Sequence, residues 1–186
     1  MSPTAFLKCI DPNCGLQYSI TDIRIECEKG HLLDVKYSMV PSTSLKEVFY
    51  KRRNHTNNIF NESGVWRFRE LLNFCQIDTE DIDQCSKYLV SLDGAEGRLS
   101  KPYHMSRVSD YVGVNNLWLQ PEGYNPSGSF KDNGMTTAVT HAKLVKIKKI
   151  ICASTGNTSA SAAMYAANEK MECDVYIPQE KLLLVS

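Results

Sequence analysis

Hydrophobic and polar positions divide the chain into stretches of different period. Gln17 to Ile25 reads as strand, while residues 44–54 and 65–75 repeat apolar side chains at helical spacing. In the second helical stretch Trp66, Leu71 or Leu72, and Phe74 to Cys75 form one stripe, and the polar loop Asn54 to Gly64 precedes it. These aromatics read as core between two packed helices rather than as a ligand box. From Asn115 the pattern becomes regular. A strand at Asn116 to Gln120, a helix from Phe130 to Val145, a strand at Lys149 to Ala153, a helix from Ser159 to Lys170 and a strand at Asp174 to Ile177 alternate with polar loops. That βαβαβ order predicts a parallel sheet with right-handed crossovers, and ligands gather beyond the carboxyl ends of such strands. The loops Pro121 to Gly128 and Ser154 to Thr158 both leave those ends, so they are expected on one rim.

Three segments follow from this reading: a ribbon-like segment over 1–40, a small helical segment over 41–90, and an α/β segment over 91–186. The 186 residues are 42% hydrophobic and 23% charged, ordinary for a soluble globular protein able to bury a core. Charges balance at 21 against 21, which gives no reason to expect nucleic acid or an anionic membrane as partner. Lys51 to Arg53 and Lys146 to Lys149 read as solvated faces. Met1 to Lys8 lacks the features of a secretory signal, and no window approaches ~18 consecutive apolar residues. The seven cysteines, odd in number and spread along the chain, read as reduced thiols of a cytoplasmic protein.

Two loops carry candidate chemistry. In Ser127-Gly-Ser-Phe-Lys-Asp132, Ser129 and Asp132 have the serine-acid spacing of a capping box, so Lys131 projects from a helix N-terminus. A helix start repels an ammonium mildly and tolerates a neutral amine, so the position suits an uncharged, nucleophilic lysine; for a lone lysine of this kind a solvated first-turn side chain is the plainer reading, and only its context changes that. Ser154-Thr-Gly-Asn-Thr-Ser159 runs from strand into helix, so its amides and hydroxyls converge on a small anion such as a carboxylate or phosphate. It lacks the residues of a P-loop and of a dinucleotide fingerprint. A helix start capped by Ser and Thr alone remains the other reading.

Near the N-terminus, Cys9 and Cys14 are followed by Cys27 and His31. These four residues offer tetrahedral zinc ligands at roughly the spacing of small zinc ribbons. The first pair is wider than the usual CxxC, and a metal-free ribbon-like hairpin stands beside the zinc reading.

Asn125-Pro-Ser-Gly-Ser-Phe-Lys-Asp132 with Gly134-Met135, Ala153-Ser-Thr-Gly-Asn-Thr-Ser159 and Ser63-Gly-Val-Trp-Arg-Phe-Arg-Glu-Leu71 together resemble the threonine synthase family of fold type II pyridoxal 5′-phosphate (PLP) enzymes. The first two blocks are shared by related PLP enzymes; the third, with the cysteine-bearing N-terminus, leans to threonine synthases. The match runs from about Cys9 to Pro178. The resemblance implies part of a three-layer parallel-sheet α/β fold behind a zinc-ribbon-like N-terminal segment. It implies that Lys131 condenses with the PLP aldehyde and moves protons, that Phe130 and Asn157 bind the cofactor, Asn157 through the 3′-oxygen, and that Ser154, Thr155, Gly156 and Thr158 hold the substrate carboxylate. The implied reaction turns O-phospho-L-homoserine and water into L-threonine and phosphate, a lyase chemistry on a small amino-acid substrate.

The family continues beyond the position of Ser186 into a part that holds the cofactor phosphate and the group facing the pyridine nitrogen. The chain is therefore expected to be partial, with an open sheet edge, weak PLP binding and little turnover alone. Glu96-Gly97 is followed by Arg98-Leu-Ser-Lys-Pro102 where the family has Thr-Pro, which puts the substrate contacts there in question. Two other readings compete: a PLP-dependent threonine or serine dehydratase or cysteate synthase-like enzyme, and a non-catalytic zinc-ribbon interaction module. Oligomeric state is open.

Overall fold

Alternate burial along its first strand defines the N-terminal unit. In the computed structural model, which describes residues 4–38, 45–54, 58–72, 89–98 and 103–179, β1 (Thr4–Cys9) lies between β2 (Gln17–Ser19) and β3 (Leu33–Ser38). Both pairings are antiparallel, with Leu7 opposite Tyr18 on one side and Val35 on the other. Ala5, Leu7 and Cys9 are buried at a period of two, the signature of a strand with one wet face. The strand expected over Gln17 to Ile25 stops at Ser19, because the Asp22 amide turns back to the Ser19 carbonyl. Beyond it Ile23 and Ile25 are 72% and 77% exposed.

The first helical expectation corresponds to α1 (Leu45–Asn54), with Glu47 in its first turn and Lys51 to Arg53 in its last, matching the helix dipole. The second is corrected. A one-turn α2 (Ile59–Glu62), capped by the Asn58 side chain on the Phe60 amide, precedes a 3₁₀ helix at Trp66–Leu71 with a kink at Phe68. The break falls at Ser63-Gly64, where a Cβ on Gly64 would lie 1.8 Å from the Gly97 carbonyl oxygen. The Ser63 hydroxyl accepts from the amides of Val65 and Trp66, restarting the chain direction. Phe74 and Cys75, the end of the expected stripe, lie outside the described residues, as does the 181–186 tail. The aromatic assignment to core is in line with the structure: Trp66 is 1% exposed and clusters with Phe60 and Leu89, and Phe68 meets Phe49 of α1 edge-on.

In the remaining stretch, β4 (Tyr103–His104), α3 (Ser106–Val112) and β5 (Trp118–Leu119) precede α4 (Lys131–Leu144), β6 (Lys149–Cys152), α5 (Asn157–Asn168) and β7 (Glu172–Val175). The helix and strand order from 130 onward agrees with the pattern. The expected three-strand parallel sheet does not form among the described residues. β6 and β7 pair in parallel, whereas the two-residue β5 pairs antiparallel with β4, Tyr103 facing Leu119 and His104 facing Trp118. Pro121 ends β5 early and the 103–104 backbone claims its hydrogen bonds. α4 and α5 pack on each other around Val90, Val139 and Tyr165, with Ile150 of β6 against the same cluster. The architecture is mixed α/β.

Candidate active site

The loop from Pro121 to Gly128 is organised by the buried side chain of Asn125. Its Oδ1 accepts from the Gly97 amide at 2.8 Å, and its Nδ2 donates to Glu122 at 2.9 Å and to the Ser129 carbonyl at 3.0 Å. Gly128 takes a left-handed φ of 77° just before the helix, a conformation that suits glycine. The Glu96-Gly97 segment is thereby set against the lysine loop. Lys131 opens α4, half-buried, with its Nζ 4.3 Å from the centroid of the exposed Phe130 ring.

The capping box is corrected. Ser129 Oγ does accept from the Lys131 amide at 3.3 Å, but Asp132 does not return to Ser129. Its fully buried carboxylate accepts from the Ser127 amide at 2.7 Å, from the Ser127 hydroxyl at 2.6 Å and from the Ser161 hydroxyl of α5. One anion thus fastens the lysine loop, the start of α4 and the second turn of α5. Residue spacing suggested the local cap; nothing in it pointed to Ser161, whose partner lies 29 positions away.

Across that contact stands the serine-threonine turn. α5 begins at Asn157, two residues earlier than the pattern implied, so Asn157 and Thr158 belong to its first turn. Ser154 Oγ accepts from the Gly156 amide at 3.3 Å, and the Ser159 hydroxyl donates to the Gly156 carbonyl at 2.7 Å. Thr155, Gly156 and Asn157 are exposed, Ser154 and Thr158 half-buried. The turn offers amides and hydroxyls at a helix start, a seat suited to a small anion. Further along α5 the buried Tyr165 phenol is pushed up by burial and by the nearby carboxylates of Glu96 and Asp132. Glu96, also fully buried, accepts from the Ser91 hydroxyl at 2.8 Å and from the Leu92 amide.

The expected metal ligands also converge. Cys9, Cys14, Cys27 and His31 present donor atoms all within 4.8 Å of one another. Cys9 Sγ lies 3.6 Å from His31 Nδ1, Cys14 Sγ lies 4.0 Å from Cys27 Sγ, and Asp11 Oδ2 stands 3.4 Å from His31 Nδ1. Burial, with the neighbouring thiols, pushes Cys9 up to about 11. Cys27 goes the other way: burial opposes it, but the amides of His31 and Lys29 and the two facing thiols hold its sulfur below the usual range. Three sulfurs and one imidazole brought this close together are a donor set suited to a metal ion.

Residues 99–182 match the family described as pyridoxal-phosphate dependent enzyme. The chain is 34% identical over 179 residues to a threonine synthase of Methanocaldococcus jannaschii, covering 95% of this chain and 38% of that protein. It is 47% identical over 93 residues to a threonine synthase of Mycobacterium leprae, covering 50% of this chain and 24% of that protein. With a threonine synthase of Bacillus sp. strain ULM1 it shares 55% identity over 75 residues, 40% of this chain and 21% of that protein. The chain thus spans less than two fifths of the length of these curated relatives.

Proposed function

We propose that this chain forms the lysine-bearing part of a PLP-dependent threonine synthase, which converts O-phospho-L-homoserine and water into L-threonine and phosphate. The observation that carries the reading is the Asp132 carboxylate joining Ser127, beside Lys131, to Ser161, beyond the Ser154–Thr158 turn. An amine and an anion seat held by one buried group are what amino-acid chemistry on a lysine-bound aldehyde requires. The similarity to threonine synthases favours this reaction over that of a threonine or serine dehydratase or a cysteate synthase-like enzyme.

The residues present fit the cofactor in part. Lys131 would hold it through its amine, Phe130 beside that amine would border it, and Asn157 would donate to the 3′-oxygen. When bound, PLP supplies a ring that withdraws charge from the substrate α-carbon. Lys131 Nζ would take the proton from that carbon and then from the β-carbon. Ser154, Thr155, Thr158 and the Gly156 amide would hold the substrate carboxylate and set the α-proton toward the lysine. In the same reading the protein is cytoplasmic and acts on a small amino-acid substrate without nucleic acid or membrane. Among the described residues no helix is long and apolar enough to cross a membrane.

The Cys9, Cys14, Cys27 and His31 cluster takes zinc in this reading. Tetrahedral zinc with Zn–S of ~2.3 Å and Zn–N of ~2.0 Å sets neighbouring sulfurs ~3.8 Å apart and sulfur from nitrogen ~3.5 Å. The observed 4.0 Å and 3.6 Å need little adjustment.

The test of the PLP reading is covalent. The protein is incubated with PLP, reduced with borohydride and mapped by mass spectrometry, with Lys131→Ala as control. A pyridoxyl group concentrated on Lys131 is expected. Label spread evenly over surface lysines such as Lys143, Lys149 and Lys170 overturns the assignment. On the whole enzyme, phosphate release from phosphohomoserine, against ammonia release from serine or threonine, separates the synthase from a dehydratase.

A further inference from the structure

The N-terminal sheet has little core of its own. Its buried apolar residues are Ala5, Leu7, Cys9 and Cys27, while Ile23, Ile25, Val35 and Tyr37 are exposed. So small a unit is held by something other than apolar burial. The four donors are placed to do this: Cys9 ends β1, Cys14 follows in the first knuckle, and Cys27 and His31 flank the turn before β3. Cys14 and Cys27 also bracket the segment 15–26, which contains β2 and its outgoing turn. From the middle of that segment the Ile20 carbonyl accepts from His141 Nε2 at 2.7 Å, a half-buried contact spanning 121 positions. His141 lies in the last turn of α4, the helix that Lys131 opens. Among the described elements the three strands contact only one another, and the Ile20–His141 bond ties the ribbon to α4.

Resting on the zinc reading of the cluster, we infer that the ion is a clamp that docks the ribbon on the lysine-bearing helix, by fixing the 15–26 segment so that Ile20 meets His141. Zinc ties both ends of that segment to β1 and to the turn before β3, and the segment loses the freedom that would let Ile20 leave the helix. The site is closed: three cysteine sulfurs and one imidazole fill a tetrahedron and leave no open position for a substrate, which makes the role structural. The clamp needs the Ile20 carbonyl as acceptor and His141 carrying a proton on Nε2.

The experiment uses the whole chain, purified with zinc supplied, and reads metal content together with amide hydrogen exchange at residues 17–26 and 141–147. One zinc per chain is expected, and chelation should accelerate exchange in both segments at least tenfold, with metal replacement reversing it. His141→Ala should accelerate exchange at 17–26 while zinc stays at one per chain; His141→Gln, which keeps a donor, should restore much of the protection. A chain that binds no zinc overturns the zinc reading and the clamp with it. A chain that binds one zinc but leaves 141–147 unchanged on chelation keeps the zinc site and overturns the clamp. Neither result bears on PLP labelling of Lys131.

Discussion

Asp132 shows how one side chain can serve two elements. It is fully buried, no basic side chain among the described residues pairs with it, and its carboxyl oxygens accept from the Ser127 amide and from the hydroxyls of Ser127 and Ser161. Asp132→Asn puts a donor where an acceptor was needed, so about 2–3 kcal/mol of stability should be lost, the cost of an unsatisfied buried group near a former charge. Ser161→Ala removes one donor only and should cost about 1 kcal/mol. Thermal or urea unfolding gives the order, and PLP labelling of Lys131 should fall with Asp132→Asn more than with Ser161→Ala. Equal effects of the two variants would remove Asp132 as the fastening point. The lysine itself was legible in the sequence because a serine cap and a following acid mark a helix start. The acid's true partner was not, because local spacing carries no information about α5.

At the scale of elements, α1 is held to the 3₁₀ helix by Arg52 and Glu70, whose side chains are 10% and 12% exposed. Arg52 donates both to the Glu70 carboxylate and, at 2.7 Å, to the Arg67 carbonyl. Burial works against the Glu70 charge, yet the Arg52 hydrogen bonds and charge hold its carboxyl below the ordinary 4.5. A lowered folded value means that the unfolded chain binds the proton first. The contribution is therefore complete above about pH 4.5 and is lost as pH falls through the folded value. Glu70→Gln should cost about 3 kcal/mol at neutral pH, the low end for a broken buried pair, and should flatten the acid limb of stability measured by urea unfolding. An unchanged acid limb would show that the pair does not set it. Helical spacing announced α1 correctly, but it read 54–64 as loop, where the one-turn α2 forms, and 65–75 as one helix, where a 3₁₀ helix kinked at Phe68 covers Trp66–Leu71. Between the two, Gly64 lies against the backbone of Gly97, a tertiary contact that spacing does not reveal.

On the scale of the whole molecule, Trp66 joins the 3₁₀ helix to α4 and to the Val90 backbone. Its indole N–H is shared between the Val90 carbonyl and the Thr136 hydroxyl of α4, both at 2.9 Å, and Thr140 accepts from the Val90 amide at 2.9 Å. Trp66→Phe keeps most of the apolar volume but removes the shared donor, so about 1–3 kcal/mol should be lost. The loss should appear in one cooperative unfolding transition if the segments fold together. Two separated transitions would show that Trp66 does not couple them. The sequence by itself determined the helices and strands after residue 130, the lysine at a helix start, the serine-threonine turn and the four cysteine and histidine donors. Each of these rests on periodicity or short spacing, and both act within a few residues of chain. Only the tertiary structure decided that β5 pairs with β4 rather than with β6, that Asp132 reaches Ser161, and that Ile20 sits on His141. Those choices turn on which backbone groups and buried charges find partners once distant segments meet, and no local pattern encodes that competition.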